Sequence, residues 1–388
     1  MGEPGGERLV REEARWQRAS FLELFFDLVF VFALNQVSVR LIKDFRSGNQ
    51  LLVSEAATTF LMFLALWLLW AAAVALTSRL HPESPPVQII VFIEMACAVL
   101  MAVAALQGPE GRPLVFVGAY VAARVARPLV LLVFRLWVNA PVVLAIVVGA
   151  VLWIAGALVD DALVRSLLWT LAVAVDYGGY VLGFQEWAGG RIAGEHLAER
   201  LQQFFLITLG EAIFVSGKAL SNSSFGIPHA VAFGLAFVSI VLLWRVYFFR
   251  AGSVLPLAIT RARNPVRESL AVAGSHLLMI TGVFLAGVGF ELFIVEPLAR
   301  PEPQWLVVIL GGPALFLVGR ASFEFQVFGR ISRSRLAGLL ALGLLIPAIW
   351  HLPSLAAGVA VAVILAGIAV SDTWRARGRE PEQPMPQI

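Results

Sequence analysis

Long apolar stretches dominate this sequence and constrain its fold more than any other feature. A transmembrane helix needs about 20 mostly apolar residues, and about twelve stretches of that kind can be counted. They lie near 21–42, 52–77, 87–107, 114–136, 141–159, 163–184, 198–218, 228–249, 269–295, 305–327, 335–350 and 353–373. Because the runs are continuous rather than alternating, they indicate helices and not a β-barrel. The sequence therefore predicts an all-α fold, a polytopic membrane bundle of about twelve transmembrane helices.

The composition supports this class and excludes several others. With 59% hydrophobic and 14% charged residues, the chain has too little polar surface for a soluble domain of 388 residues. The first twenty residues contain arginines but no apolar core, so we expect no cleaved signal peptide. The single cysteine, Cys97, excludes an internal disulfide. The basic residues are scattered over short loops, so the expected partner is the lipid bilayer and no nucleic acid.

The distribution of Lys and Arg predicts the orientation in the membrane. If the N-terminus is cytoplasmic, the segments on that side hold about 18 basic residues, among them Arg79, Arg200 and Arg335. The opposite loops hold about six. By the positive-inside rule this asymmetry predicts that both termini are cytoplasmic.

Polar residues recur with matching spacing in the two halves of the chain and indicate an internal repeat. The matched sets are Glu23, Asp27 and Asn35 with Glu199, Gln203 and Glu211, Trp70 with Trp244, and Arg124 with Arg320. Because six is an even number of crossings, two six-helix repeats would be parallel, with the first and seventh helices facing each other. The predicted organisation is a cytoplasmic N-terminal segment at 1–20, repeats at 21–190 and 191–374, and a disordered tail at 375–388.

Charged residues lie at one common depth inside these helices. Asp27 and Glu94 lie about seven residues inside predicted helices that begin at the cytoplasmic side. Arg127 and Asp176 lie about eight residues before the cytoplasmic ends of helices that run toward that side. At 1.5 Å per residue, all four lie roughly 10–12 Å below the inner boundary. A charge at that depth is costly unless it is paired or hydrated, so this layer is the predicted functional site.

The candidate site residues fall into two sets. The predicted transport path, or ion and proton site, is Glu23, Asp27, Asn35, Glu94, Asp176, Glu199, Gln203, Glu211 and His276, and the predicted charge-pairing residues are Arg124, Arg127, Arg320 and Glu324. In the first half four acids stand against two arginines, which favours a cation or proton. The structural alternative is that Asp27 with Arg124 or Arg127, and Glu199 with Arg320, are buried ion pairs that fix the helix register.

Two features concern the shape of the helices. Pro128 directly follows Arg127 and predicts a kink that frees backbone carbonyls at the depth of the charged layer. Gly179 and Gly183 form a G-x-x-x-G pattern, which is more often a site of close helix packing than a functional feature.

Sequence motifs for other chemistry are missing. The five histidines are dispersed, and the sequence contains no zinc-binding pattern, no phosphate-binding loop and no nucleophile elbow. We therefore expect no metal, no cofactor and no enzymatic activity. A less favoured alternative is an intramembrane enzyme that uses Glu211 or His276 as a base.

Two motifs resemble the bacterial low temperature requirement A (LtrA) family. The first is Phe-Leu-Glu-Leu-Phe-Phe-Asp-Leu-Val-Phe-Val-Phe-Ala at 21–33, and the second runs from His-Leu-Ala-Glu-Arg at 196–200 to Leu-Gly-Glu-Ala-Ile at 209–213. The similarity spans essentially the whole chain. It implies a polytopic protein of the bacterial inner membrane. The Phe-Phe-Asp at 25–27 is also similar to the Phe-Ser-Asp of endolysosomal potassium channels, with Phe26 in place of Ser.

The leading functional hypothesis is a secondary transporter or channel for a cation or a proton-coupled solute. The partners would be the bilayer and a small ion or solute, and the sequence leaves a homo-oligomer open. The alternative is a non-transporting stress or assembly factor in which the polar layer is structural.

Overall fold

The structure is a computed structural model that describes residues 19–46, 52–108, 111–136, 139–187, 194–249, 251–260, 262 and 264–378. Across these residues the chain forms helices and no strand, which confirms the all-α prediction. The helices are α1 Phe21–Arg46, α2 Leu52–Thr77, α3 Pro85–Leu106, α4 Pro113–Val133, α5 Ala140–Leu158, α6 Ala162–Trp187, α7 Gly194–Ser221, α8 Ile227–Phe248, α9 Ala251–Thr260, α10 Pro265–Val295, α11 Pro303–Ile309, α12 Gly311–Phe328, α13 Arg333–Ile349 and α14 Ser354–Ala376.

Among the residues that the structure describes, eleven helical segments are long and apolar enough to cross a membrane, one fewer than the sequence suggested. The short helix α11 and helix α12 together form one of them, Pro303–Phe328. The stretch predicted at 335–350 forms α13, which has only 17 residues. A helix of that length spans about 26 Å at 1.5 Å per residue, which is less than the roughly 30 Å of a bilayer core.

Proline marks the beginning of many helices. A proline occupies the first turn of α3, α4, α5, α8, α10 and α11. Proline is favoured there because its missing N–H would have no partner within the helix. Helix α12 ends at Gly329, whose φ of 64° is readily adopted by glycine. The helix boundaries thus follow from local sequence.

The chain forms two compact units, Met1–Arg200 and Leu201–Ile388. In the first unit, α5 and α6 pack closely through the G-x-x-x-G pattern. A Cβ atom at Gly183 would lie 2.6 Å from Cγ2 of Val142, and one at Gly179 would meet Cβ of Ala145. The predicted close approach of helices at these glycines is confirmed.

The second unit contains a closer helix pair, α10 and α12, which approach through glycines on both helices. A Cβ atom at Gly312 would lie 2.8 Å from the Cα of Ala286, and one at Gly319 would lie 2.7 Å from the backbone N of Met279. Since the neighbouring atoms belong to the backbone, they have little freedom to move aside. The glycine seam, defined as Gly282, Gly312 and Gly319, therefore sets the distance between these two helices.

The residues matched between the proposed repeats lie in different environments. Trp70 is buried and donates a hydrogen bond to Asp27, whereas Trp244 is 45% exposed and packs against Phe248. The two-repeat organisation, with its boundaries at 21–190 and 191–374, stays a prediction.

Candidate functional site

Two acids near the start of α1 pair with two bases near the start of α7. Oε1 of Glu23 lies 2.9 Å from Nε2 of His196. The carboxylate of Asp27 accepts two hydrogen bonds from the guanidinium of Arg200, at 2.6 and 2.7 Å. Both acids and both bases are four residues apart, so they project from one face of each helix. The two pairs hold α1 against the first turns of α7 in a single register.

Further contacts complete this first cluster. The indole N–H of Trp70 donates to Asp27 at 2.9 Å. The N–H of Ser20 donates to Glu23, whose own N–H donates to the Ser20 hydroxyl, at 2.8 and 3.3 Å. This reciprocal arrangement is a capping box, which stabilises the beginning of α1. Glu23 therefore has a structural role in addition to any other.

A second cluster surrounds Asp176 on α6. Its carboxylate accepts hydrogen bonds from the Tyr120 hydroxyl at 2.8 Å, the Arg124 guanidinium at 3.0 Å and the Trp153 indole at 2.9 Å. Gly149 makes space for it, because a Cβ atom there would meet Oδ1 of Asp176. With three donors, the buried carboxylate is well satisfied.

Removing one donor from this cluster has a predictable cost. Trp153→Phe is expected to lower the free energy of unfolding by about 1–3 kcal/mol, because a buried carboxylate loses a hydrogen bond. The measurement is an unfolding titration with SDS in mixed micelles. Trp374→Phe is the control, since Trp374 is 72% exposed. Equal stability of the two variants would show that the indole bond to Asp176 contributes nothing.

Glu94 on α3 pairs with Arg127 on α4. The Nε of Arg127 donates to Oε1 of Glu94 at 2.9 Å, and a terminal nitrogen of the same guanidinium contacts the same oxygen. Oε2 of Glu94 has no hydrogen-bond partner among the described residues. Glu94 is fully buried, so half of its acceptor capacity is available inside the protein.

These contacts change the balance of charge inferred from sequence. Asp27 does not pair with Arg124 or Arg127, because Arg124 binds Asp176 and Arg127 binds Glu94. Its partner is Arg200, which was counted among the cytoplasmic loop residues and is buried. The four acids Glu23, Asp27, Glu94 and Asp176 face four basic partners, counting His196. The excess of acids that favoured a cation is therefore absent from this unit.

A cavity of about 120 Å³ lies beside Glu94 and Arg127 in the first unit. Its charged and polar lining residues are Arg79, Glu94, Arg124, Arg127, Asn139 and Tyr180, and the rest of the lining is apolar, including Leu76, Leu131, Val142 and Phe184. These residues come from the ends of α2, α4 and α6 and the beginnings of α3 and α5. That end of the unit is the one predicted to face the cytoplasm. We call this space the arginine cavity.

Asn139 contributes an unused amide to the arginine cavity. It precedes α5 at the position where asparagine usually accepts a hydrogen bond from the first turn, yet its side chain makes no capping bond. Asn139 is 4% exposed, and neither its amide nitrogen nor its amide oxygen has a partner among the described residues. Buried polar groups are rarely left in this state. The amide is therefore available to a bound molecule.

Arg79 and Pro128 both belong to the lining of the cavity. Arg79 lies two residues beyond α2, donates to the carbonyl of Phe184 at 3.2 Å, and stacks over the Phe184 ring. Burial lowers the pKa of Arg79 to about 10, so the side chain is still cationic at pH 7. Helix α4 continues through Pro128, which has no N–H for the carbonyl of Arg124 one turn earlier.

In the second unit, buried charges tie α12, α13 and α14 together. Glu324 lies 3.4 Å from Arg320 on its own helix and 3.1 Å from Arg335 on α13. Arg335 also contacts Asp372 on α14 at 2.7 Å. Arg335 is buried, although the sequence had suggested a cytoplasmic loop position. Arg320, like the other residues predicted to pair charges, thus lies in an ion pair.

His276 on α10 is held by a polar contact at each ring nitrogen. Its Nδ1 lies 2.8 Å from the carbonyl of Val272, which can only accept, so Nδ1 carries the proton. Its Nε2 lies 2.9 Å from the hydroxyl of Tyr247, at hydrogen-bonding distance. The adjacent cavity, also lined by Arg320, measures about 10 Å³, which is room for a single water.

The other predicted path residues lie outside the arginine cavity. Asn35, Glu199 and Gln203 are half-buried, and Glu211 is buried near Gly287. Of the nine predicted path residues, Glu94 belongs to the lining of the arginine cavity, and a path role for the others stays a prediction. In the part of the chain that the structure describes, no group of three His, Cys, Asp or Glu side chains could hold a metal ion.

Sequence reasoning missed several residues of these sites. His196 and Arg200 carry a usable signal, because their spacing of four matches that of Glu23 and Asp27. The Ser20-x-x-Glu23 pattern before an apolar run also predicts a capping box. Asn139 and Arg79 carry no such signal. They lie at helix ends and join the site only through the tertiary fold.

Residues 18–370 match the family model for the bacterial low temperature requirement A protein (LtrA). The chain is 33% identical over 338 residues to the uncharacterized protein RA0937 of Rhizobium meliloti (strain 1021), which covers 82% of this chain and 80% of that protein. No solved structure gives a significant match. The resemblance based on the motifs at 21–33 and 196–213 is confirmed.

Proposed function

The chain belongs to the bacterial low temperature requirement A (LtrA) family of membrane proteins, and we propose that it is a proton-coupled transporter that binds a small solute in the arginine cavity. It would act in the bacterial inner membrane with both termini in the cytoplasm, which requires an even number of crossings and therefore counts the 17-residue helix α13 as a twelfth, shortened span. The cavity would then open toward the cytoplasmic side. A space of about 120 Å³ holds one small molecule at a time, which favours a carrier over a channel.

The observation that carries the proposal is the unused polar capacity around the cavity. Oε2 of Glu94, Nε of Arg124 and the amide of Asn139 all lack partners among the described residues. A layer that served only to join helices would be expected to satisfy its own polar groups, as the carboxylate of Asp176 is satisfied by three donors. Groups that are buried and unsatisfied beside a cavity are suited to a ligand.

Glu94 is the proposed proton-binding group. It is the acidic residue of the cavity lining, and the charged or titratable groups that act on it are Arg127, Arg124 and Cys97. When a solute engages Arg127, the carboxylate of Glu94 loses its counter-ion. Uptake of a proton from solution would neutralise it. Binding of solute and of proton would in this way be coupled.

The test is uptake into proteoliposomes under an inward proton gradient. Lactate, choline and glycerol serve as anionic, cationic and neutral solutes, with protein-free liposomes as the baseline. At least one solute should enter faster when the gradient is imposed. Glu94→Gln keeps the volume of the side chain but cannot release a proton, and it should abolish the stimulation by the gradient.

The matched control is Glu83→Gln, because Glu83 is exposed and precedes the same helix. Its uptake should equal that of the unmodified chain. If none of the three solutes enters above the baseline while the protein stays folded, the transport proposal fails. If the proton gradient still stimulates uptake in Glu94→Gln, Glu94 is not the group that couples proton binding to transport.

A second candidate function is supported by the first cluster. Glu23 pairs with His196, and Asp27 pairs with Arg200 and accepts a hydrogen bond from Trp70, as expected in a non-transporting membrane factor with a structural polar layer. In that case Asp27→Asn would lower the stability of the protein in detergent, and neither the variant nor the unmodified chain would transport solute. An enzymatic role is not proposed.

A further inference from the structure

Three residues that line the arginine cavity leave four buried polar atoms without a hydrogen-bond partner among the described residues. These atoms are Nδ2 and Oδ1 of Asn139, Nε of Arg124 and Oε2 of Glu94. The large majority of buried polar atoms in proteins are paired, because an unpaired one has lost its contact with water and gained nothing in return. A ligand that pairs all four atoms would recover this cost.

The four atoms divide evenly into donors and acceptors. Nδ2 of Asn139 and Nε of Arg124 can only donate, whereas Oδ1 of Asn139 and Oε2 of Glu94 accept. Exchanging the amide nitrogen and oxygen of Asn139 leaves this count unchanged. If Glu94 takes up a proton on Oε1, the oxygen that contacts Arg127, Oε2 is still a carbonyl acceptor. The site therefore offers two donors and two acceptors in either protonation state of Glu94.

A primary carboxamide has the complementary set of groups. Its nitrogen carries two N–H donors, and its carbonyl oxygen has two lone pairs that accept. A carboxylate only accepts, so it would leave Oδ1 of Asn139 and Oε2 of Glu94 unpaired. An alkylammonium only donates, so it would leave Nδ2 of Asn139 and Nε of Arg124 unpaired. Sites built to hydrogen-bond one polar group strongly reject analogues that leave their buried groups without partners.

The size and the apolar wall of the cavity define the rest of the ligand. A volume of about 120 Å³ corresponds to roughly eight water-sized spheres of about 15 Å³ each, so a molecule of about six to nine non-hydrogen atoms fits. Leu76, Leu131 and Val142 belong to the apolar part of the lining. They match a short hydrocarbon chain, since ligand sites usually combine an apolar lining with a few polar groups that fix the orientation.

We infer that the arginine cavity binds a short primary carboxamide. Its two N–H groups donate to Oε2 of Glu94 and Oδ1 of Asn139, and its carbonyl oxygen accepts from Nδ2 of Asn139 and Nε of Arg124. Its hydrocarbon chain lies against the apolar wall. The pattern of hydrogen bonds, and not the net charge of the cavity, selects this ligand. The carboxamide would be the solute of the proposed function, on which its physiological meaning rests.

Binding to the purified full chain in detergent is measured separately from transport. The probes are hexanamide, its isomer N,N-dimethylbutanamide, which has no N–H group, and the charged analogues hexanoate and hexylammonium. Isothermal titration should show hexanamide binding at least about tenfold more tightly than each of the other three, which corresponds to 1.4 kcal/mol. A smaller advantage over any of the three, or no saturable binding of hexanamide, would overturn the assignment.

Two variants change the pattern of donors and acceptors at nearly constant side-chain volume. Asn139→Asp replaces a donor with an acceptor and should weaken hexanamide binding at least about tenfold. In Glu94→Gln the oxygen stays with Arg127 and the new amide nitrogen takes the place of Oε2, so an acceptor becomes a donor. This variant should bind hexanamide more weakly and hexanoate more tightly. A loss of stability alone would not produce that change of preference.

The matched controls are Asn222→Asp and Glu83→Gln, because both residues are exposed. They should leave the affinities for hexanamide and hexanoate unchanged. Unchanged hexanamide affinity in Asn139→Asp, or an unchanged preference in Glu94→Gln, would exclude this binding mode even if hexanamide binds to the protein.

The two proposals fail in different ways. Lactamide, the primary amide of lactate, is added to the solutes of the transport test. If hexanamide binds through Asn139 and Glu94 but proteoliposomes take up neither lactamide nor any other solute above the baseline, the cavity is a ligand site and the transport proposal is wrong. If glycerol or choline is transported with dependence on Glu94 while hexanamide does not bind, transport stands and the carboxamide assignment is wrong.

Discussion

Replacing Arg200 with methionine is expected to lower the free energy of unfolding by about 3–5 kcal/mol, the largest effect that the structure predicts. The substitution leaves Asp27 buried without the guanidinium that binds both of its oxygens. Breaking a buried ion pair by removing one partner has a cost in this range because an uncompensated charge is left in a medium of low polarity. Methionine keeps most of the side-chain volume, so the loss reports on charge rather than packing.

The measurement is the free energy of unfolding from SDS titration, with Arg112→Met as the control because Arg112 is exposed. The double variant Asp27→Asn with Arg200→Met should be less destabilised than the sum of the two single variants, since no charge is then left alone. Additive effects would mean that the two side chains do not depend on each other. A loss below about 1 kcal/mol in Arg200→Met would contradict a buried pair.

The second large effect is expected at the glycine seam of the second unit. A Cβ atom at Gly282 would lie 2.7 Å from the Cα of Phe316 and 2.8 Å from the carbonyl oxygen of Gly312. Helix α10 or α12 must therefore shift to accept even a methyl group. We expect Gly282→Ala to lower the free energy of unfolding by about 1–3 kcal/mol, the usual cost of overpacking.

The same substitution elsewhere on α10 provides the control. A Cβ atom at Gly274 would have no neighbour within 4 Å, so Gly274→Ala should be neutral or stabilising by up to about 1 kcal/mol through helix propensity. Opposite signs for the two variants in SDS titration would show that close approach, and not helix propensity, decides the outcome. If both variants were stabilised, the two helices would have to be farther apart than the structure places them.

Together the two predictions separate positions that hold the fold from positions that are available for function. Glu23 and Asp27 are each held by a basic partner on α7, and the glycine seam fixes a helix pair in the second unit. Glu94, Arg124 and Asn139 retain unused hydrogen-bonding groups beside a cavity. The same class of residue, a buried carboxylate, is therefore structural on α1 and available for binding on α3.

The sequence predicted the helices well because the signal for them is local. Continuous apolar runs, prolines in first turns and glycines at ends act within a few residues. The exception concerns the length of one span. The stretch at 335–350 does form a helix, but at 17 residues this helix is not among the eleven candidate spans of the described residues. The close packing at Gly179 and Gly183 was also predictable, since small residues at that spacing leave a groove for the neighbouring helix.

The partners of the charged residues were less predictable. Depth along the helix placed Glu94, Arg127 and Asp176 in one layer, and Glu94 and Asp176 do pair with arginines of α4. Depth alone gave Asp27 the wrong partner, because it carries no information about which helices are neighbours. Arg200 was counted among the basic residues of the cytoplasmic side because it lies at the beginning of the apolar run at 198–218, whereas helix α7 begins earlier, at Gly194.

By itself the sequence determined the class of the protein, its helical segments, its family and the depth of its charged residues, because hydropathy and spacing are properties of single helices. Only the tertiary structure decided which charges meet, which stay available, and that Arg79 and Asn139 join Glu94 at one cavity. The physical reason is that an ion pair or a ligand site depends on the rotation and neighbourhood of several helices, and these are set by packing between segments far apart in the chain.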